Sequence, residues 1–468
     1  MKPSRLLPLA AAASAVSGAV LPGASAAQSP VSTYTQNSPG PLWLGAPAQE
    51  GGLSSLDGMV DSIGGALFHA ANAVTRAGRR VMGFSSVEED DERSHTATLP
   101  PAPQQAYGYQ KVDVGAGGDG LEGRSIAEVI QESEHALYFA GLLGAYDKLQ
   151  DMLGDNDKKG EAEFTVLVPT DEAFRRLEGF ERSDGRLLGD ILEYHVLEGR
   201  YPVDKLRGMR TVPTSLKEDD FGRHRQRLRI ADGPSGVEVN FYGRVLASNS
   251  RECKNGIVHF VDDVLIPPPR LGTLMDALPE QLGVFSRAMK KTGLDRELHV
   301  QGRRGVTVFA PSDAAWRKLG DEVKGFLFSD DGLPYLAALT RYHVLVGETV
   351  YTDAYEGGTP GEGDGKEPVS GSERRWFRSW LEGVAVSVEI GTARESGPMM
   401  VNGAAVSVRD VPARDGVVHF TEQVLLPSAS QDESSEGGAT AEGVGVEELK
   451  RRLERFVKRE GGTKTEEL

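Results

Sequence analysis

Two copies of an α+β domain in tandem are what this 468-residue sequence predicts. Three observations carry that reading. One joint occurs twice, as Phe164-Thr-Val-Leu-Val-Pro-Thr-Asp-Glu-Ala-Phe174 and Val306-Thr-Val-Phe-Ala-Pro-Ser-Asp-Ala-Ala-Trp316. A Tyr-His pair follows each joint, at Tyr194-His195 and Tyr342-His343, and each copy closes on a strand with a second histidine, His259 or His419. The order is kept while the offset grows: Pro169 and Pro311 are 142 residues apart, His195 and His343 are 148 apart, and His259 and His419 are 160 apart. An offset that only grows locates insertions, the larger in the Gly-rich stretch Glu356 to Glu367, because surface loops lengthen at small entropic cost.

Before the repeats, Lys2 and Arg5 precede the apolar run Leu6 to Val20, and Ala24-Ser25-Ala26 gives a small-x-small cleavage site. Residues 1–26 therefore read as a secretory signal. Residues 27–123 read as mostly disordered, with one amphipathic helix at about 53–83 (Leu56, Met59, Val60, Ile63, Leu67) and the Pro-rich linker around Pro100-Pro101. That helix is expected to dock on the globular part, to belong to a removed pro-segment, or to touch a membrane surface. No later stretch reaches the roughly 18 uninterrupted apolar residues of a membrane span, and no Asn-x-Ser/Thr sequon occurs.

The first repeat, 124–268, opens on Ser125-Ile-Ala-Glu128, a capping box before a helical apolar pattern. In each joint the proline ends a strand, Thr170 or Ser312 caps the next helix, and Asp171 or Asp313 sits at its positive end. Alternation at Val237, Val239, Phe241 and at Val384, Val386, Val388 predicts half-buried strands, and Asn402-Gly403 predicts a hairpin turn. The second repeat covers 269–428, after a Pro267-Pro268-Pro269-Arg270 linker too short and stiff for independent tumbling. Residues 429–468 form an acidic tail whose Val446, Leu449, Leu453, Phe456 and Val457 stripe a charged helix, expected to dock on a domain or pair with another chain.

The doubled Thr-Val-Phe-Ala-Pro-Ser-Asp-Ala-Ala-Trp segment, the Tyr-His pairs, and Asn/Asp-Gly-Ile/Val-Val-His-Phe leading to Val-Leu-x-Pro resemble the three signature segments of the fasciclin I (FAS-I) domain family. The resemblance covers about Arg124 to Pro427 in two copies, with Ile257 standing where the pattern has Val. It implies a β-wedge packed with α-helices, in secreted or cell-surface proteins associated with adhesion and matrix contact. It implies no catalysis, and it implies that the motif histidines are structural.

The residues themselves point the same way. A formal net charge of -17 argues against nucleic-acid binding. Cys253 is the only cysteine, which excludes an intrachain disulfide and a thiolate zinc site. No nucleophile elbow or phosphate-cradling loop occurs, and Asp262-Asp263 is replaced by Thr421-Glu422 in the second copy. The expectation is therefore no enzyme, no cofactor and no metal. Tyr194, His195, His259, Tyr342, His343 and His419 sit in apolar contexts and read as core hydrogen-bonding groups.

One basic feature remains. Arg223, Arg225, Arg227 and Arg229 alternate, so in a strand they share a face. They read either as a solvated strand edge or as a row of guanidinium forks for a polyanion. Arg374-Arg375-Trp376-Phe377-Arg378-Ser-Trp380 is expected at a similar location in the second copy, its aromatics in the core. The function expected from sequence is a secreted interaction module at the cell surface, wall or matrix, with a protein or acidic polysaccharide as partner. The alternative is a lumenal protein of the vacuolar or endomembrane system, held to a membrane or partner by its N-terminal helix.

Overall fold

A computed structural model describes residues 123–462, apart from 155–162, 178–184, 220, 223, 302–303, 358–373, 383, 392–397, 429–438 and 442. The expected signal, the helix at about 53–83, Arg223 and most of the Gly-rich insertion lie outside the described residues.

The first domain starts with three short helices, α1 (Ile126–Gln131), α2 (Leu137–Gly144) and α3 (Asp147–Leu153). The expected capping box forms at α1: Ser125 Oγ accepts from Glu128 N, and Ser125 N donates to Glu128 Oε2 at 2.7 Å. Strand β1 (Phe164–Pro169) then delivers the joint, followed by α4 (Asp171–Arg176), α5 (Gly185–Tyr194), β2 (Val196–Glu198) and α6 (Val203–Arg207). The remaining strands are β3 (Thr211–Lys217), β4 (Arg225–Gly233), β5 (Gly236–Val239), β6 (Gly243–Arg244), β7 (Arg251–Cys253) and β8 (Gly256–Val261). They make an eight-stranded sheet in the order β6-β5-β4-β3-β2-β1-β8-β7. A bridge from Val245 to Val261 curls the β6 end back onto β8. Phe241, expected to continue the alternation of β5, instead falls in a turn with φ 71°.

The second domain repeats this plan. Helices α7 (Leu271–Asp276), α8 (Pro279–Thr292) and α9 (Leu294–Gln301) lead to β9 (Val306–Pro311), α10 (Asp313–Lys318), α11 (Asp321–Leu327) and α12 (Leu333–Tyr342). The strands β10 (Val344–Val346), β13 (Arg374–Arg378), β14 (Ala385–Ile390), β15 (Met399–Val401), β16 (Ala404–Ala413) and β17 (Gly416–Thr421) join β9 in the order β10-β9-β17-β16-β15-β14-β13, and β11 (Glu348–Val350) pairs with β12 (Tyr355–Gly357) in a sheet of their own. In each domain the joint strand pairs in parallel with the closing strand: β1 with β8, and β9 with β17. These strands are buried on both faces and mostly apolar, as strands covered on two sides are, with Thr165, His259, Thr307, His419 and Thr421 as their buried polar groups. The C-terminal helix α13 (Val446–Gly462) settles one open point: Leu449, Leu453 and Phe456 are buried in the second domain's own core.

A buried seam joins the domains. Past the proline linker, Leu271 N donates to Asp415 Oδ1 at 2.8 Å and Arg414 N donates to Pro269 O at 2.9 Å, so the linker's end is pinned. Asp353 of the second domain reaches β3 of the first, where its carboxylate accepts from Arg210 N at 3.0 Å, Thr211 N at 2.8 Å and Thr211 Oγ1. Gln226 Nε2 donates to Arg414 O at 2.7 Å, and Arg414 Nε pairs with Glu218 Oε2 at 3.1 Å. Phe221 packs against Tyr351 and Val417 across the same boundary.

Replacing Asp353 leaves two amides at the start of β3 without an acceptor, at about 1–3 kcal/mol for an unpaired buried donor. Asp353→Ala is therefore expected to lower stability by about that much and to split a single calorimetric transition into two. One unsplit transition at the wild-type temperature contradicts this role.

Candidate functional site

The two joints are built as expected, with one addition. Thr170 Oγ1 accepts from Ala173 N at 3.3 Å, and Ser312 Oγ accepts from Ala315 N at 3.2 Å. Asp171 and Asp313 do more than face a helix dipole. Asp171 Oδ1 accepts from Tyr138 N at 3.0 Å, and Asp313 Oδ1 accepts from Val284 N at 2.9 Å. Each donating amide lies just after a break in helical geometry, at Ala136 (φ -134°, ψ 35°) or Leu282 (φ -126°, ψ 15°). The break frees an amide and the joint's carboxylate takes it up.

All four motif histidines are buried and use both ring nitrogens. His195 Nδ1 lies 2.7 Å from Ile191 O, and its Nε2 accepts from Leu265 N at 2.9 Å. His343 repeats the arrangement with Leu339 O at 2.8 Å and Leu425 N at 2.9 Å. In each case the carbonyl takes the ring N–H and the amide takes the lone pair, which fixes a neutral tautomer. His259 and His419 use the opposite tautomer: Nε2–H donates to Tyr201 O or Val350 O, both at 2.8 Å. Their Nδ1 atoms meet Ser250 Oγ at 2.7 Å and Asp410 N at 3.2 Å. These rings tie the start of the fold to its closing strands, and their lone pairs are already engaged.

The tyrosines are placed in parallel. Tyr194 and Tyr342 hydroxyls each accept from an asparagine, Asn240 or Asn402, at 2.8 Å, and each lies 3.3 Å from a strand carbonyl, of Arg227 or Ala385. The asparagines were not singled out in the sequence as partners. Asn402 was legible only as the expected turn, and it occupies that turn with φ 49°, between β15 and β16.

Strand β4 overturns both readings of the arginine row. It lies between β3 and β5, so it is not an edge, and its face is covered by the second domain. Arg225 pairs with Glu198. Arg227 is 9% exposed, with Nε donating to Thr211 Oγ1 at 2.8 Å and its guanidinium over the Tyr351 ring. Arg229 Nε donates to Arg409 O at 3.3 Å, with its guanidinium 3.9 Å from the Phe241 ring centroid. The period-two spacing does put these arginines on one face, but that face is the interdomain seam and presents no open row to a polymer. Nor does the second copy's basic stretch lie at a similar place: β13 is the end strand of its sheet. Phe377 is buried there, whereas Trp376 is 42% exposed.

Other reactive groups are also accounted for. Burial pushes the Cys253 thiol up to about 12, well away from a reactive thiolate. Asp262 accepts from Arg244 N at 2.7 Å and from its guanidinium at 2.9 Å, while burial raises Asp263 to about 6. Among the described residues no group of three His, Cys, Asp or Glu side chains is placed to hold a metal ion. A cleft of about 460 Å³ lies among α7, α8 and α9, lined by Met275, Met289, Asp276, Lys290, Asp295 and Arg296. Its Asp276 is engaged by Ser286 Oγ at 2.7 Å and by Lys290 Nζ.

The sequence pattern of the fasciclin domain matches residues 137–267 and 280–427. The chain belongs to the fasciclin domain family. Among relatives, the aurofusarin biosynthesis cluster protein S of Gibberella zeae is 29% identical over 333 residues, covering 66% of this chain and 79% of that protein. Human stabilin-1 is 27% identical over 326 residues, covering 66% of this chain but 11% of its own length. Human periostin is 25% identical over 323 residues, covering 66% of this chain and 34% of that protein. A FAS1 domain pair from the insect cell adhesion molecule fasciclin I matches 56% of this chain and 88% of its own at 19% identity, with a TM-score of 0.28. Among the described residues no helix of this fasciclin-domain protein is long and apolar enough to cross a membrane.

The histidines generate a pH dependence. Burial lowers His195 and His343 from 6.5 to about 4, against smaller upward pulls from the Ile191 and Leu339 carbonyls. Above pH 6.5 folded and unfolded rings are both neutral, so they add no slope. Between 6.5 and about 4 the unfolded chain binds protons that the folded chain refuses. Stability should therefore fall over that window by up to about 1.4 kcal/mol per pH unit for each ring, and the contribution levels off below it. Urea unfolding of wild type and His343→Gln checks this: the variant should be less stable at pH 7.5, by about 1–3 kcal/mol, and less steep below 6.5. Parallel curves contradict the neutral-ring assignment.

Proposed function

We propose that this fasciclin-domain protein is a non-enzymatic, secreted interaction module that works at the cell surface, wall or matrix, with its paired domains as the binding body. One observation carries the reading: the motif groups most able to do chemistry, the four histidines, have both ring nitrogens spent on holding the fold. Outer faces, not a catalytic pocket, are then what the protein offers. The signal-like residues 1–26 and the family's association with adhesion and matrix contact support secretion and the setting.

A second reading keeps the interaction role and changes the partner. The Gibberella zeae relative aligned over 79% of its length is named as a biosynthesis cluster protein, which favours an enzyme of such a cluster as the bound partner. Fractionation of cells making the tagged full chain distinguishes these readings. The first expects the protein in the medium or bound to wall or matrix, with residues 1–26 removed. Retention inside a vacuolar or endomembrane lumen overturns the extracellular setting. Co-purification with a biosynthetic enzyme, lost on dilution of that enzyme alone, favours the second partner.

A further inference from the structure

The turn that carries Asp353 into the seam, residues 351–354 between β11 and β12, is held from within its own domain by one histidine. His419 Nε2 donates to Val350 O at 2.8 Å, just before the turn. Its Nδ1 accepts from Asp410 N at 3.2 Å, and the Asp410 carboxylate accepts from Thr352 N at 2.9 Å and from Thr352 Oγ1. Asp353 is the next residue, and its carboxylate takes the amides of Arg210 and Thr211 in the first domain. A continuous run of hydrogen bonds therefore connects a motif histidine to the interdomain contact.

The middle of this run is strained. Asp410 has φ 58°, in the left-handed region, within a stretch of β16 whose pairing with β17 shifts register twice between Val406 and Val411. The bond from its amide to the ring and the bonds from Thr352 to its carboxylate hold it there.

The first domain has the same ring in a more tolerant setting. His259 Nδ1 lies 2.7 Å from Ser250 Oγ, and a hydroxyl can turn to accept from a charged ring as well as donate to a neutral one. The Asp410 amide can only donate. A proton on His419 Nδ1 thus sets two donors against each other, and no rotation relieves them. Facing the ring are Asp410 and Arg409 from β16, the Val350 carbonyl from β11 and the Phe309 ring from β9, 5.6 Å between centroids. Burial holds the ring's pKa below its ordinary 6.5, with Arg409 acting the same way and Asp410 and the Val350 carbonyl opposing. Farther along the run, Arg227 and Asp410 act on Asp353, and Arg210, Arg409 and Asp410 act on Arg229.

We propose that His419 is a proton-sensitive brace of the interdomain seam. Neutral, it keeps the 351–354 turn in its docked shape; protonated at Nδ1, it expels the Asp410 amide, and the turn withdraws Asp353 from Arg210 and Thr211. The sign follows from linkage: a ring released by the open turn binds a proton near pH 6.5, whereas the closed seam refuses it, so opening grows as pH falls below that value. Opening uncovers the β3–β4 face of the first domain, with Arg227 and Arg229, which the closed seam hides. This inference stands apart from the cellular setting proposed above.

Amide hydrogen exchange of the full chain tests it, read at Arg210 N and Thr211 N and divided by the intrinsic rate at each pH. Protection of these two amides should fall by up to about thirtyfold between pH 7.5 and pH 5, the gain in opening for one ring released to an ordinary pKa. Leu265 N and Leu425 N, held by His195 and His343, should stay better protected than both at every pH, which marks an opening of the seam and not of the domains. His419→Gln should abolish the fall. Asp353→Asn should keep it, because its amide oxygen still accepts from both main-chain donors while the titrating carboxylate is gone. Should His419→Gln fail to fold, the titration of the His419 ring in the wild-type chain by NMR decides, and its midpoint should coincide with that of seam opening. Protection that is flat with pH, a fall that persists in His419→Gln or is lost in Asp353→Asn, or a seam that opens while the His419 ring is still neutral overturns the proposal.

Discussion

The carboxylate of Asp353 is the constraint on which the arrangement of the protein depends. It sits in the second domain yet completes the hydrogen bonding of the first, accepting from two main-chain amides and one hydroxyl at the start of β3. Burial raises its pKa, and the neighbouring Arg227 guanidinium opposes that rise. Its charge is costly to bury and is tolerated because several donors converge on it. Arg227 and Arg229 contribute their long stems and guanidinium planes to the same boundary, stacked on Tyr351 and Phe241. Each domain thereby supplies groups that the other needs in order to be satisfied.

Within each domain the same logic is carried by neutral rings. A histidine that both donates and accepts can link two strands of main chain only while it holds a single proton. Burial enforces this by pushing His195 and His343 down to about 4. The four rings therefore act as fixed cross-braces between the Tyr-His segment, the loop after it and the closing strand. That use is incompatible with work as a general base, which needs a lone pair facing a substrate.

The repeat was legible because its signals are local. A proline that ends a strand, a Thr or Ser cap, and an apolar run around a histidine act within a few residues, and the structure shows the first two in place at 164–174 and 306–316 and the third at 256–261 and 416–421. The arginine strand was half legible. Alternation gave the shared face of Arg225, Arg227 and Arg229 correctly, but periodicity cannot say what covers a face, and 124 residues separate Arg229 from Asp353. Asp353 itself lies in Tyr351-Thr-Asp-Ala354 with no pattern around it. Trp376 was expected inside because aromatics bury well, and it lies outside because its strand ends the sheet. These misses share one cause: each depends on a partner distant in sequence.

The seam is expected to hold the two domains as one rigid body. Spin labels at Lys148→Cys in the first domain and Asp321→Cys in the second, whose side chains are 75% and 96% exposed, read the distance between domains directly. The native Cys253 is 3% exposed and does not compete for label. At spin dilution, a single narrow distance distribution is expected, broadening when Asp353 is replaced by Ala. A broad or multimodal distribution in the chain with Asp353 intact contradicts the account.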